Sequence, residues 1–473
     1  MLRLYNSLTR RVEPFQPQGN AVTIYVCGIT PYDTTHLGHA FTYATADTLI
    51  RYLEFCGHTV RYVQNVTDID DDILRKARQL GDDTSFGDSG PSSVQAWRDV
   101  GNRWTAHFIE DMKVLNVRPP DYFPGATDVI PEVIEAVRAL IDAGVAYESG
   151  GNVYFRIDAW PDFGKLSRLA RPQMLPIANE RGNNPEDPHK KDPLDFVLWQ
   201  AQAEAEPAWE SPWGPGRPGW HIECSTMATR FLGETIDIHS GGADLLFPHH
   251  ECEIAQVEPV TGREPFVRYW LHVAMVRHDG EKMSKSLGNL VMVRDLLKTW
   301  SPDALRIYMA RHHYRRPWEH DASELDQAQE MAQLMQAAAT ELSSAETHPA
   351  EATSLRSVQA LSHRWGNRRG GSASPLDFTP IEDTFAEAMD NDLDTAPALA
   401  ALIGLAQKIL DADSQRNGAS AHTVAPARAA LRRMARVFGL RLDNDSAEMR
   451  VIEGWNRHLR RFDDTRGWDQ EIE

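Results

Sequence analysis

Four residues far apart in the chain have the donor types of a single metal site: Cys27, Cys224, His249 and Glu253. Two thiolates, an imidazole and a carboxylate suffice for one tetrahedral Zn²⁺. The spacing alone leaves a second interpretation open. Isolated cysteines are usually buried apolar side chains, and a His/Glu pair four residues apart often marks one face of a solvated helix.

Two polar segments carry groups that handle phosphate. His36-Leu37-Gly38-His39 falls where a strand gives way to a helix, and backbone N–H groups at a helix N-terminus favour anions. Lys282-Met283-Ser284-Lys285-Ser286 lies in a polar loop, where two lysines can neutralise charge on a triphosphate. Either segment alone is weak evidence, because a short motif recurs by chance and a lysine-serine loop also serves solubility. Together with a soft metal, they predict an enzyme that selects a thiol substrate and activates it with ATP.

The elements that position these groups follow from hydrophobic periodicity. Residues 22–26 and 60–66 read as strands, and residues 40–55 between them have the periodicity of a helix. Strand, helix and strand in this order form a βαβ unit, so we predict an α/β fold with a doubly wound parallel (Rossmann-like) sheet. Ligands bind beyond the carboxyl ends of such strands, where Cys27 and the turn at His36 would lie. The strand pattern resumes at residues 235–238 and 269–273.

Composition shifts divide the rest of the chain. Residues 121–218, rich in Pro and Gly, predict an insertion into the sheet domain, and the composition turns helical beyond residue 301. Residues 348–377 read as a flexible stretch, and residues 385–410 as one amphipathic helix.

Bulk properties limit the class of protein. The 473 residues contain four cysteines, no apolar run long enough to cross a bilayer, and a net charge of −19. We therefore expect no membrane association, no disulfide framework and a cytoplasmic location. The charge argues against a protein that coats nucleic acid nonspecifically. We assign no functional role to Cys56. We interpret Cys252 as a structural residue, and a role as a substitute metal ligand stays open.

Several motifs resemble those of the class I aminoacyl-tRNA synthetases, and within them the cysteinyl-tRNA synthetase group. They are Leu4-Tyr5-Asn6, Tyr25-Val26-Cys27-Gly28, residues 62–71, 216–225 and 280–286, and Asp303-Ala304-Leu305-Arg306. The resemblance implies a class I catalytic domain over residues 1–300, with its insertion at 121–218. A helical DALR-type, tRNA-contacting domain would span residues 301–440, and a diverged or shortened segment 441–473.

The resemblance also implies a reaction. L-cysteine would react with Mg-ATP to give cysteinyl-adenylate, and the cysteinyl group would pass to the 3′ end of tRNA(Cys), on a monomer with one Zn²⁺ per chain. The implied zinc ligands are Cys27, Cys224, His249 and Glu253, and the cysteine site is formed by Cys27, Thr67 and Trp220. We assign ATP binding to Thr30, His36, Gly38, His39 and Lys285, catalysis to His36, His39, Lys282 and Lys285, and tRNA phosphate contacts to Arg311, Arg315 and Arg316.

Two other functions stay open. Residues 180–185 and the turn at residues 27–33 look like those of mycothiol-pathway cysteine ligases, which join cysteine to glucosaminyl-inositol. Glu253 favours the synthetase, whereas no anticodon-binding module is recognisable in residues 438–473. A non-catalytic RNA-binding paralogue is the more distant alternative, and the intact phosphate-binding segments argue against it.

Overall fold

A computed structural model describes residues 1–81, 93–204, 206–283, 287–340, 376–414, 424–442 and 446–462. The strands are β1 (Arg3–Asn6), β2 (Arg11–Pro14), β3 (Ala21–Ile29), β4 (Thr59–Val66), β5 (Ala146–Ser149), β6 (Asn152–Phe155), β7 (Phe196–Ala201), β8 (Gly216–Pro218), β9 (Ile236–Gly242), β10 (Val267–Val273), β11 (Val276–His278), β12 (Glu281–Lys282) and β13 (Trp318–Glu319).

The helices are α1 (Leu37–Phe55), α2 (Asp71–Gly81), α3 (Ser93–Val114), α4 (Ile130–Asp142), α5 (Arg171–Asn179), α6 (Trp220–Leu232), α7 (Glu251–Thr261), α8 (Val293–Leu296), α9 (Pro302–Ala310), α10 (Ala322–Ala339), α11 (Thr379–Asp390), α12 (Thr395–Ser414), α13 (Ala425–Ala435) and α14 (Ser446–Leu459). A π-helical turn, Leu246–His250, leads directly into α7. Within the described ranges, none of these helices combines the length and the apolar character needed to cross a bilayer.

Strands β10, β9, β3 and β4, in that order, form a parallel sheet. The chain leaves β3 through α1 and returns as β4 on one side, and it later adds β9 and β10 on the other side. The order of the strands therefore reverses between β3 and β9, which opens a crevice beyond their carboxyl ends. This arrangement confirms the predicted doubly wound α/β fold.

Strand β3 is mostly apolar because both of its faces are covered. Val22, Ile24 and Val26 belong to a core that also contains residues of α1. Tyr25 and Cys27 belong to a second core, which contains residues of α6 and α7. The two-residue period of the strand therefore turns Cys27 toward the helices that carry the other predicted metal ligands.

The chain between β4 and β9 adds an antiparallel sheet in the order β5-β6-β7-β8, with α4 and α5 beside it in sequence. These strands fall inside the stretch predicted as an insertion. The exact limits of the insertion and of the catalytic domain stay predictions.

The helical region after residue 301 corrects one expectation. Residues 385–410 do not form one helix, because α11 ends at Asp390 and α12 begins at Thr395. Asp392 and Leu393 between them have positive φ angles of 59° and 54°. The Asp392 carboxylate fixes this turn by accepting hydrogen bonds from the Tyr5 amide and the Tyr314 hydroxyl, each at 2.7 Å. Long-range contacts of this kind leave no mark on helical periodicity. The predicted flexible stretch at 348–377 lies outside the described residues, apart from its last two positions.

Helix α14 packs back onto α3 and the segment that follows it. Trp455 is fully buried, and its indole N–H donates to Val117 O at 2.8 Å. Its ring also makes edge contacts with Phe108 and Phe123. This part of the predicted C-terminal segment is therefore a structural element of the core.

Candidate active site

A cavity of about 1380 Å³ opens beyond the carboxyl ends of β3, β4 and β9. The predicted site residues that line it are Cys27, Thr30, His36, Gly38, His39, Thr67, Trp220, Cys224, His249 and Lys282. Glu253 lies beneath this surface and is fully buried. Lys285 falls outside the described residues. The fold thus gathers residues from six separate segments around one space.

The four predicted metal ligands meet at the floor of this cavity. Donor atoms of Cys27, Cys224, His249 and Glu253 all lie within 4.8 Å of one another, and all four residues are buried. His249 Nε2 is 3.2 Å from Glu253 Oε1, and Cys27 Sγ is 3.9 Å from the same oxygen. These separations are those of donors that surround one small ion.

Three elements bring the donors together. Strand β3 presents Cys27 near its carboxyl end, and the first turns of α6 present Cys224. His249 and Glu253 lie one helical turn apart across the junction of the π-helical turn and α7, so their side chains point to the same side.

The donor set fits a soft divalent cation. Burial raises the pKa of the Cys27 thiol and of the Glu253 carboxyl, so both acids are costly to ionise without a compensating positive charge. Burial lowers the pKa of His249, which leaves its imidazole neutral and able to act as a ligand. Two thiols beside an imidazole and a carboxylate match the ligand chemistry of zinc.

A second, overlapping group was missed by sequence reasoning. Cys27, His239, His250 and Glu253 also place their donor atoms within 4.8 Å of one another. His239 and His250 are fully buried, whereas Cys27, Cys224 and His249 line the cavity. A catalytic metal needs an edge that substrate can reach, so the geometry favours the group that contains Cys224 and His249.

Three histidines instead contact the candidate ligands, His239 and His250 from the buried side and His221 from the cavity wall. His239 Nε2 lies 2.9 Å from Glu253 Oε2, and His250 Nε2 lies 3.3 Å from Cys27 Sγ. His221 Nδ1 lies 2.9 Å from Nδ1 of His249. Burial lowers the pKa of His221 and of His239 to about 3, and it lowers the pKa of His250 as well. Neutral rings of this kind orient ligands by hydrogen bonding. The only sequence signal for them was the density of histidine around the ligand segments.

The substrate-binding candidates surround the same floor. The Trp220 ring stacks on His249 with a centroid distance of 4.4 Å. The Thr67 amide donates to Ile29 O at 2.9 Å, and its hydroxyl accepts from Asn65 Nδ2 at 3.3 Å. A Cβ atom on Gly28 would lie 1.5 Å from the carbonyl oxygen of Asn65, so only glycine fits beside Cys27.

The first predicted phosphate-binding segment, residues 36–39, lies at the start of α1. His36 is the N-cap residue, and its Nδ1 accepts from the amides of Gly38 at 3.1 Å and His39 at 3.4 Å. The His36 and His39 rings stack with a centroid distance of 3.7 Å. Nδ1 of His36 is therefore used by the helix and does not donate to phosphate. The phosphate contact that we predicted for this ring would therefore be made by its Nε2 atom.

The described part of the second predicted phosphate-binding segment, Lys282 and Met283, adjoins the first. Leu37 N donates to Val291 O at 2.8 Å, and Met283 Cε lies 4.0 Å from the Cβ position of Gly38. Lys282 Nζ is 3.3 Å from Asp244 Oδ2, which also accepts from Arg181 at 3.0 Å. The cavity wall thus contains two cations that share one carboxylate.

The arginines predicted to contact tRNA differ in their surroundings. Arg315 Nε donates to Asp392 Oδ2 at 2.6 Å, and its guanidinium lies 4.5 Å from the centre of the Tyr5 ring. Arg311 donates to the carbonyl oxygen of Glu324. Arg316 is exposed. Replacing Arg315 would also remove its contacts with Asp392 and Tyr5, so Arg316 is the cleaner probe of a phosphate contact.

Comparisons with known proteins agree with this architecture. Residues 14–330 match the family model for the tRNA synthetases class I (C) catalytic domain, and residues 384–443 match the DALR domain model. The cysteine--tRNA ligase of Synechococcus elongatus is 42% identical over 482 residues, which cover 97% of this chain and 92% of that protein. A methionyl-tRNA synthetase structure from Mycobacterium tuberculosis superposes with a TM-score of 0.57 at 16% identity, covering 94% of this chain and 93% of that one, which supports the fold.

A relative with a different acceptor matches a shorter part of the chain. The L-cysteine:1D-myo-inositol 2-amino-2-deoxy-alpha-D-glucopyranoside ligase of Thermomonospora curvata is 47% identical over 328 residues, covering 69% of this chain and 76% of that protein. The family model spans most of the described sheet domain, and the cysteine--tRNA ligase matches almost the full length. The chain therefore belongs to the class I (C) tRNA synthetase family.

Proposed function

We propose that this protein activates L-cysteine with Mg-ATP and transfers the cysteinyl group to the 3′ end of tRNA(Cys), the reaction of a cysteine--tRNA ligase. The observation that carries the proposal is the pair of thiols, with His249 and Glu253, on the floor of a cavity lined by both phosphate-binding segments. The near full-length match to a relative of that name supports it.

Cys27, Cys224, His249 and Glu253 would hold one Zn²⁺ per chain. When bound, zinc supplies a soft Lewis acid that takes the thiolate of cysteine and rejects the hard hydroxyl of serine. Trp220 would close one side of the amino-acid site, because its ring is already fixed against His249.

The phosphate-binding residues would act by position and charge. The carboxylate of cysteine attacks the α-phosphate in line and pyrophosphate leaves, so no residue has to remove a proton. The rings of His36 and His39 would donate to phosphate oxygens. Lys282 and Lys285 would balance the charge that develops on the pyrophosphate. Gly38 and Thr30 would lie against the nucleotide at the end of β3.

The acceptor distinguishes this proposal from its alternative. Arg181, in the segment similar to mycothiol-pathway ligases, lines the cavity and binds Asp244, which is compatible with a small amino-sugar acceptor. The match to a cysteine--tRNA ligase includes the helical region, whereas the match to the amino-sugar ligase covers 69% of the chain. We therefore favour tRNA.

The test has two stages. Cysteine-dependent ATP–pyrophosphate exchange should be readily measured without any acceptor, and its absence in zinc-loaded protein would leave only a non-catalytic role. Cysteine should then be transferred to tRNA(Cys) and not to glucosaminyl-inositol. Acid-stable amide formation with the amino sugar, without charging of tRNA, would overturn the proposal. Arg316→Ala should raise the KM for tRNA and leave exchange unchanged, because phosphate contacts are electrostatic and play no part in adenylate formation.

A further inference from the structure

A buried series of hydrogen bonds joins the N-terminal hairpin to the candidate metal site. Ser7 Oγ lies 2.7 Å from His272 Nδ1, and His272 Nε2 lies 2.8 Å from His250 Nδ1. His250 Nε2 then lies 3.3 Å from Cys27 Sγ. All four residues are buried, with His250 fully so. We name these residues the Ser7–Cys27 relay.

The direction of the relay follows from the chemistry of its thiolate end. A metal-bound thiolate can only accept a hydrogen bond, so His250 must carry its proton on Nε2. Nδ1 of His250 then accepts from Nε2–H of His272, and Nδ1 of His272 accepts from a hydroxyl. Ser7 is the residue that supplies that hydroxyl. The thiolate thus sets the tautomers of both rings, and the Ser7 hydroxyl completes the series as the donor to Nδ1 of His272.

We propose that Ser7 is a positioning residue that acts through His272 and His250 to direct an N–H group at the sulfur of Cys27. This inference deepens the proposed function and rests on its metal site. A thiolate that accepts an N–H bond gives less charge to its metal, which leaves the metal a stronger acceptor for the sulfur of the substrate. Ser7 would thereby adjust cysteine affinity without touching cysteine.

The backbone around Ser7 is held by other contacts. Its amide donates to Trp270 O at 3.0 Å. The side chain of Asn6 donates to Arg268 O at 2.7 Å and accepts from Trp270 N at 3.2 Å. These bonds fasten the hairpin beside β10 whatever the side chain at position 7. Removing the Ser7 hydroxyl therefore breaks the relay and leaves the local backbone in place.

The experiment compares Ser7→Ala, which removes the hydroxyl, with Ser7→Thr, which keeps it. Pyrophosphate exchange gives the KM for cysteine and for ATP, and cobalt-substituted protein gives the sulfur-to-metal charge-transfer band. Ser7→Ala should raise the KM for cysteine about 10-fold, the scale of losing a support for a metal ligand, with the KM for ATP unchanged. Its cobalt band should shift, and Ser7→Thr should restore both values.

The matched control is Thr105→Val in α3, which removes a buried hydroxyl that bonds the Gly101 carbonyl. It should change neither KM nor the cobalt spectrum. An unchanged band in folded Ser7→Ala, or equal defects in Ser7→Ala and Ser7→Thr, would overturn the inference. If wild-type protein bound cobalt but showed no cysteine-dependent exchange, the proposed function would be contradicted. The cobalt charge-transfer band of the Ser7 variants would still test the relay in that case.

Discussion

Asp47 of α1 and Arg306 of α9 form an ion pair in which each side chain is 1% exposed. Asp47 also accepts from Arg51 Nε at 2.9 Å and from the Arg118 amide at 2.8 Å. Arg306 donates in addition to Phe438 O at 2.6 Å. The helix that begins with the first phosphate-binding segment is thus joined to the helical region through one buried carboxylate.

This pair should make a large contribution to stability. Asp47→Asn leaves the Arg306 guanidinium buried without its counter-charge, and we expect a loss of about 3 kcal/mol in the free energy of unfolding. Urea denaturation at neutral pH measures it. Asp295→Asn is the matched control, because its partner Lys298 and Asp295 itself are exposed and such pairs contribute little. Equal stability of the two variants would contradict the assignment.

The same carboxylate should give stability a characteristic pH dependence. Burial alone would raise the pKa of Asp47, but Arg51 and Arg306 hold it below its ordinary value. A carboxyl whose pKa is lower in the folded state stabilises the protein above the unfolded pKa of about 3.9 and loses that contribution as the pH falls through the folded pKa. The stability difference between wild type and Asp47→Asn should be constant from neutral pH to about pH 5 and shrink below pH 4. If this stability difference grew as the pH fell, the pKa of Asp47 would not be lowered in the folded state.

Zinc content should depend on two of the cysteines. Cys27→Ser and Cys224→Ser should each lose most of the single zinc, because thiolates dominate the affinity of such a site. Cys252→Ser is the control: this buried residue lies in neither candidate ligand group, and its replacement should leave the metal bound. Elemental analysis of purified protein measures the content. Full zinc in Cys27→Ser would exclude both ligand groups.

A pair of histidine variants separates the two overlapping groups. His249→Ala should lose zinc, whereas His239→Ala should retain it and weaken turnover, because His239 supports Glu253 from behind. Zinc content and exchange rates are measured on the same preparations. If His239→Ala lost zinc and His249→Ala retained it, the metal ligands would be the second group, which contains His239 and His250.

The lysines of the second phosphate-binding segment should act on the rate and not on cysteine binding. Lys285→Ala and Lys282→Ala should each lower the exchange rate by about 100-fold, the scale of losing one preorganised charge in the transition state. The KM for cysteine should stay within error of wild type. Lys298→Ala, at an exposed helix-end pair, serves as the control. If the KM for cysteine rose as much as the rate fell, the lysines would have a role in cysteine binding, and the predicted phosphate role would be wrong.

Local sequence patterns were sufficient to predict the central strands and helix of the sheet domain. They did not predict the buried residues that contact the candidate metal ligands. The periodicity of residues 22–66 predicted β3, α1 and β4, because covered strands and amphipathic helices record their burial in sequence. The candidate ligands were found because their residue types are rare in that combination. His239, His250 and Ser7 were missed because each acts through a partner distant in sequence. The break at Asp392 was missed for the same reason, since its bonds reach Tyr5 and Tyr314.

The docking of Trp455 has a practical consequence for protein engineering. Its indole covers Phe108 and Phe123, which belong to the same hydrophobic core as α1. Cutting the chain before α14 would leave an aromatic surface open to water, and exposed apolar patches of this kind promote self-association. Shortened versions intended to isolate the catalytic part should therefore keep residues 446–462, or carry polar replacements at the uncovered aromatic positions.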